Sequence, residues 1–249
     1  MMHKMIRRHD DLPMIPQDDP TMIPMKKTND RQILEYLSGF LTERRLERMQ
    51  QVVMERTRHL CVVLEDIYQT HNASAVLRSC ECFGIQDVHI IENRNVFEEN
   101  PEVVMGASKW LSLYRYNTSQ SNTASCLQAL RDQGYRLVAT SPHQRDCLLE
   151  DLPLEQKTAL LFGTEMEGLS ETAMDMADAW VRIPMRGFTE SFNISVSVAI
   201  TLYHLSHRLR ELGIQWELPP EEKEALLLEW VKKSMKNPDQ MLEHFKGFS

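Results

Sequence analysis

No apolar run in this 249-residue chain reaches the roughly 18 residues that span a bilayer. Its first residues carry acids and four prolines (Pro13, Pro16, Pro20, Pro24) where a secretion signal needs an apolar core. A cytoplasmic protein with no membrane contact is the expectation. The five cysteines, led by the close pair Cys80 and Cys82, form neither the even framework of a disulfide-stapled domain nor a CxxC zinc pair. Reduced thiols and no metal site follow. Positive charge is short as well: 28 bases against 36 acids leave a formal charge of -8, so any surface for a polyanion must be a local patch. Glycine is missing between Glu65 and Asn72, directly after the first short apolar run. A dinucleotide fingerprint or P-loop needs glycines there to let backbone amides approach phosphate, so an ordinary NAD or ATP site is disfavoured.

With 42% hydrophobic and 26% charged residues, the composition is that of a globular protein with room for one sizeable domain and appendages. Residues 1–29, rich in Met, Asp and Pro, read as an extended arm. Residues 30–58 read as a helix or helix pair, with Ile33, Leu34, Leu37, Phe40 and Leu41 at helical spacing and Asp30 as the N-cap. From Leu60 the texture changes to short apolar runs: LCVVLE (60–65), DVHIIE (87–92), YRLVAT (135–140), TALLFG (158–163) and WVRIPM (180–185). Helical stretches separate them near Ser74 to Phe83, Ser121 to Gln133, Glu171 to Ala177 and Ile194 to Leu212. Such alternation predicts an α/β domain over 59–213 with a mainly parallel, buried sheet. Residues 214–249 form a C-terminal extension, where Pro219-Pro220 opens an amphipathic helix with acids first and lysines last.

In an open parallel sheet, ligands bind beyond the carboxyl ends of the strands. Two glycine-bearing turns stand there, Phe162 to Gly168 and Ile183 to Gly187; each is equally readable as a pocket wall or a plain tight turn. Glu165 follows a buried run, where a carboxylate is costly unless paired or bonded to amides. Asn72 is placed to cap a helix with Arg78 over one turn inside it, and His71 reads as incidental. Ser191, Asn193, Ser195 and Ser197 crowd the start of an apolar helix with more polar groups than capping requires. Cys80, Cys82 and Cys126 read as small core residues. Bases concentrate at Arg44, Arg45, Arg48, Arg56 and Arg58, set against only Glu47 and Glu55, and again at Arg208 and Arg210. Each group is either a phosphate contact or a solvated helix face.

Three segments in order, NASAVLR (72–78), FGTEMEG (162–168) and IPMRGFTESFNISVS (183–197), resemble the signature motifs of the SPOUT superfamily, specifically the TrmH-type ribose 2'-O-methyltransferases. The likeness spans roughly Leu60 to Arg210. It implies a sheet whose C-terminal part threads into a deep trefoil knot, an exception to ordinary connection rules, with a pocket for S-adenosyl-L-methionine. It also implies a homodimer with the site near the interface and flanking helices that hold tRNA. By resemblance the catalytic set is Arg78, supported by Asn72, with Glu165, Ser191 and Asn193. Cofactor contacts map to Thr140, Gly163, Ile183 and Phe192, where leucine is more usual than phenylalanine. Arg44, Arg45, Arg48, Arg208 and Arg210 are the expected RNA contacts. A guanidinium with a pKa above about 12 is a poor base and a good phosphate clamp, so Arg78 is expected to act by position and charge. The implied activity is methylation of a tRNA ribose, at guanosine 18 of the D-loop; the flanking helices and the SFNIS form of the third motif favour tRNA. Alternatives are an rRNA or tRNA-anticodon 2'-O-methyltransferase, or a catalytically silent knotted protein that binds RNA.

Overall fold

The computed structural model describes residues 27–119, 121–141 and 147–246; the expected arm, except for its last three residues, lies outside them. Seven parallel strands form one sheet: β1 (Leu60–Glu65), β2 (Asp87–Ile91), β3 (Ser112–Tyr116), β4 (Arg136–Thr140), β5 (Cys147–Leu148), β6 (Thr158–Phe162) and β7 (Ala179–Arg182). Their spatial order is β3-β2-β1-β6-β4-β7-β5. The five apolar runs read from the sequence are β1, β2, β4, β6 and β7. Two strands escape that reading: β3, an edge strand of only half-buried and exposed residues, and β5, which is two residues long.

Each apolar run is continuous because both faces of the sheet are covered. Leu60, Val62 and Leu64 of β1 pack with Val88, Ile90, Leu160 and Phe162 against helices α3 (Thr70–Cys82) and α7 (Ile194–Glu211). The alternate residues Cys61 and Val63 pack with Leu137, Ala159 and Leu161 against α5 (Asn122–Asp132) and α6 (Glu171–Met176). A short helix, α4 (Pro101–Val104), and a 3-10 turn at Ala107–Trp110 lead into β3. Cys80 and Cys126 are buried as expected, whereas Cys82 is exposed.

The two extensions are not separate appendages. Helices α1 (Lys27–Ser38), α2 (Glu43–Met54), α8 (Pro220–Lys233) and α9 (Pro238–Lys246) share a third core around Leu37, Met49, Val53, Leu226, Trp230 and Val231. Helix α1 starts at Lys27, so Asp30 sits in its first turn and is not the cap. Pro220 occupies the first turn of α8, where its missing N–H costs nothing. Two bases of the strip ending at Arg58 are structural. Arg56 is fully buried, its Nη2 2.9 Å from Glu81 Oε1 and its guanidinium 5.2 Å from the Trp230 ring centre. Arg58 pairs with Asp87 at 3.0 Å and with Glu222 at 2.5 Å. Among the described residues no helix is long and apolar enough to cross a membrane.

The sheet is completed out of sequence order. β6 enters between β1 and β4, and β7 enters between β4 and β5. The direction of winding therefore reverses at β1, which is where a crevice opens at the carboxyl edge of such a sheet.

Candidate active site

Three chain segments meet at that crevice. The first leaves β1 through Asp66, a non-glycine residue at φ 55°. Its Oδ1 accepts hydrogen bonds from the backbone N–H of Asn93 and Arg94, both at 2.8 Å, which ties the turn after β2 to the turn after β1. Burial opposes ionisation of Asp66, but these N–H donors outweigh it and hold the carboxyl below its ordinary range. Next door, the buried Glu65 carboxylate accepts from Thr123 Oγ1 (2.5 Å), Ser170 Oγ (2.7 Å) and Ser170 N (2.8 Å). It anchors the starts of α5 and α6, leaving the crevice to other groups.

Helix α3 begins at Thr70 with Gln69 as N-cap, so Asn72 lies inside the first turn and its side chain is not the cap that its position predicts. The buried Asn72 amide instead donates to Gln69 Oε1 at 2.5 Å and to Glu165 Oε1 at 3.0 Å. Glu165 arrives from the turn after β6. That turn is pinched by paired hydrogen bonds between Thr164 and Gly168, N to O at 2.9 and 3.0 Å. Gly163 opens it, and a Cβ there would stand 2.1 Å from the Gly168 carbonyl. The third segment supplies Asn193, the N-cap of α7, whose Oδ1 accepts from Ser195 N at 2.9 Å. Its Nδ2 donates to Glu165 Oε1 at 2.5 Å and to Asn72 Oδ1 at 3.1 Å.

One carboxylate oxygen thus takes donors from Asn72, Asn193 and the Ile194 backbone at 3.3 Å. Among the described residues no hydrogen bond of the chain reaches the other oxygen, Oε2. Ile67, Tyr68, Gln69, Asn72, Thr164, Glu165 and Ile194 line a small open cleft around this cluster. Gln69 was not singled out by the sequence. Its one signal is an amide three residues before Asn72, the spacing at which side chains on one helix face meet.

The remaining expected residues fall around the cluster. Thr140 ends β4 and gives its hydroxyl to Leu161 O at 2.8 Å. Gly163 follows β6 and Ile183 follows β7, so these residues stand at the carboxyl ends of three neighbouring strands, β6, β4 and β7. Phe192 is 40% exposed beside Asn193. Backbone groups, one hydroxyl and two apolar side chains fit an adenine ring and ribose, and the exposed Glu165 carboxylate is compatible with a sulfonium cation. Ser191 is exposed and makes no hydrogen bond among the described residues. Arg78 is likewise exposed on α3, without a hydrogen bond or ion pair among the described residues. His71 is exposed. No group of His, Cys, Asp and Glu among the described residues could hold a metal ion.

The basic residues divide. Arg44, Arg45 and Arg48 are exposed on α2 and unpaired among the described residues. Arg208 donates to Leu149 O at 3.1 Å. Arg210 is held by Glu55 at 3.3 Å and stacks 4.7 Å over the Trp216 ring. Both thus fasten the long helix to its neighbours.

A tRNA (guanosine(18)-2'-O)-methyltransferase of Borreliella burgdorferi is 43% identical over 201 residues, covering 81% of this chain and 90% of the relative. The crystal structure of the A. aeolicus TrmH/SpoU tRNA modifying enzyme superposes with a TM-score of 0.70 at 25% identity, over 78% of this chain and 98% of that one. The SpoU methyltransferase AviRb from Streptomyces viridochromogenes, solved in complex with the cofactor AdoMet, gives a TM-score of 0.54 at 25% identity over 66% and 62% of the two chains. Residues 59–203 match the SpoU rRNA Methylase family; with the three motif segments meeting at Glu165, this chain belongs to that family.

Proposed function

We propose that this protein transfers a methyl group from S-adenosyl-L-methionine to the ribose 2'-hydroxyl of guanosine 18 in tRNA. The observation that carries the reading is the convergence of Asn72, Glu165 and Asn193, from three distant segments, on one carboxylate oxygen at the carboxyl edge of the sheet. The relative from Borreliella burgdorferi, named for methylation of guanosine 18, supports the choice of substrate, and AviRb with AdoMet supports the donor.

A ribose hydroxyl is a weak nucleophile, so it must be held in line with the methyl carbon and lose its proton as the bond forms. When bound, the donor supplies the electrophilic methyl and a good leaving group. Thr140, Gly163, Ile183 and Phe192 hold it. Glu165, with Oε1 fixed by three donors, offers Oε2 as a rigid acceptor for a substrate hydroxyl. Ser191 adds a free hydroxyl beside Asn193, and the free guanidinium of Arg78 clamps an RNA phosphate.

The late insertion of β6 and β7 into the sheet supports a chain threaded as a trefoil knot. Exposed Val196 and Tyr203 on α7, beside α3 and its Arg78, form the face on which a second copy completes a homodimer. A cytoplasmic setting suits the substrate. Arg44, Arg45 and Arg48 are the RNA contacts outside this crevice; Arg208 and Arg210 contribute by fixing α7.

Labelled-methyl transfer to unmodified tRNA and to rRNA, followed by mass-spectrometric mapping, tests the reading. The expected product is 2'-O-methylguanosine at position 18 of tRNA. Incorporation only into rRNA overturns the substrate, and absence of heat on titration with millimolar S-adenosyl-L-methionine overturns the activity.

A further inference from the structure

The turn between β1 and α3 carries an aromatic side chain at the mouth of the crevice. Tyr68 lines the cleft together with Gln69, Asn72, Thr164 and Glu165, and it is 49% exposed. The cleft has a free volume of about 10 Å³, room for one water molecule. A nucleobase therefore does not enter it and must lie across its mouth, where Tyr68 stands.

The hydrogen bonds that reach Tyr68 run in one sense. A carboxylate oxygen only accepts, so the Asn72 group 3.0 Å from Glu165 Oε1 is the amide Nδ2. Asn72 Oδ1 is turned the other way and accepts from the Asn193 amide at 3.1 Å. The second N–H of Asn72 Nδ2 donates to Gln69 Oε1 at 2.5 Å. With its oxygen facing Asn72, Gln69 presents Nε2 on its far side, and this donates to the Tyr68 hydroxyl oxygen at 3.1 Å. Among the described residues no acceptor takes the Tyr68 O–H in return. Glu165 at one end of the chain thus fixes the part played by Tyr68 at the other, whose hydroxyl is left as an outward donor.

That polarity selects a base. On its outer edge guanine offers two acceptors, O6 and N7, whereas adenine sets an N6 amino donor beside N7. A phenol already committed as acceptor to Gln69 suits the O6 of guanine and meets a second donor on adenine. Three hydrogen bonds separate Glu165 from the Tyr68 oxygen, the span of one nucleoside. A ribose hydroxyl at Glu165 Oε2 and the outer base edge of the same nucleotide at Tyr68 are held together by this spacing.

We infer that Tyr68 is a specificity-determining residue, donating a hydrogen bond from its phenol to O6 of the guanine whose ribose is methylated. The inference rests on the proposed methylation of guanosine 18 and deepens it: the chain of amides that orients Glu165 also sets the group that reads the base. Gln69 is the positioning residue between them.

The test sets Tyr68→Phe, which keeps the ring and loses only the hydroxyl, against a tRNA that lacks the acceptor, with 2-aminopurine riboside in place of guanosine 18. Labelled-methyl transfer gives kcat and KM for both enzymes on both tRNAs, and calorimetry gives S-adenosyl-L-methionine affinity. On the guanosine tRNA, Tyr68→Phe is expected to lower kcat/KM about tenfold, the scale of one hydrogen bond open to solvent, at unchanged cofactor affinity. Removing O6 lowers kcat/KM of wild type by a similar factor, and on that tRNA the two enzymes are equal because the bond is already gone. Equal losses for Tyr68→Phe on both tRNAs make the hydroxyl a structural group and overturn the inference alone. So do a variant as active as wild type on guanosine, a wild type indifferent to O6, and weakened cofactor binding in the variant, which would place Tyr68 in the donor site. A wild type that methylates neither tRNA overturns the proposed function and the inference with it.

Discussion

Glu165 shows how a side chain acquires a role from its neighbours. Exposed to solvent by itself, it is oriented because Asn72, Asn193 and the Ile194 N–H all point at one of its oxygens. Arg78 is the opposite case: it makes no hydrogen bond or ion pair among the described residues, so its value lies in what it meets on binding. Arg78→Ala is therefore expected to lower methyl transfer by on the order of 10³-fold or more while thermal stability and cofactor affinity, read by scanning and titration calorimetry, stay at wild type. An active variant would remove Arg78 from the catalytic set. Gly163→Ala must push a Cβ into the Gly168 carbonyl 2.1 Å away. Overpacking of this kind costs about 1–3 kcal/mol, so the melting temperature should fall by roughly 3–10 °C and cofactor binding should weaken with it. The motif sequence marks Asn72, Glu165 and Asn193 but not Gln69, whose contact depends on where the helix starts; the same start makes Gln69, and not Asn72, the N-cap.

The strands legible in the sequence are those buried on both faces, since a continuous run of apolar residues is what double burial demands. Strand β3 failed that criterion because it lies at the sheet edge. Its tyrosines nonetheless enclose His89 of β2, whose ring stacks 4.7 Å from Tyr114 and 6.0 Å from Tyr116. Burial pushes the His89 pKa down to about 3. In the unfolded chain it is about 6.5, so between these values the unfolded state binds more protons and stability rises with pH. Stability should decline as pH falls from about 6.5 toward about 3. Urea denaturation of His89→Phe should show a shallower decline between pH 6.5 and 5, above the range in which carboxylates titrate; an identical slope would contradict the buried neutral ring. Helix α9 was not read from the sequence, as its nine residues are short for a periodicity argument.

Across the whole molecule, Trp230 is the joint between the ends of the chain and the catalytic domain. It is buried, its Nε1 donates to Trp110 O at 3.1 Å, and Arg56 lies over its ring. Trp230→Ala should cost about 3–5 kcal/mol, visible as a lower urea midpoint, and should weaken tRNA binding more than cofactor binding because α2 loses its support. Equal losses for both ligands would mean that the extension and the sheet unfold together. The sequence by itself determined the buried α/β core, the helical ends and the three family motifs, because apolar spacing and local motif chemistry are written within a few residues. Only the tertiary structure decided which cations remain free. Arg56 and Arg58 are neutralised by partners 25 to 164 residues away, while Arg44, Arg45 and Arg48 find none among the described residues and instead face Trp110. Local spacing says which face of an element is buried; the partner that covers it is chosen when distant segments pack.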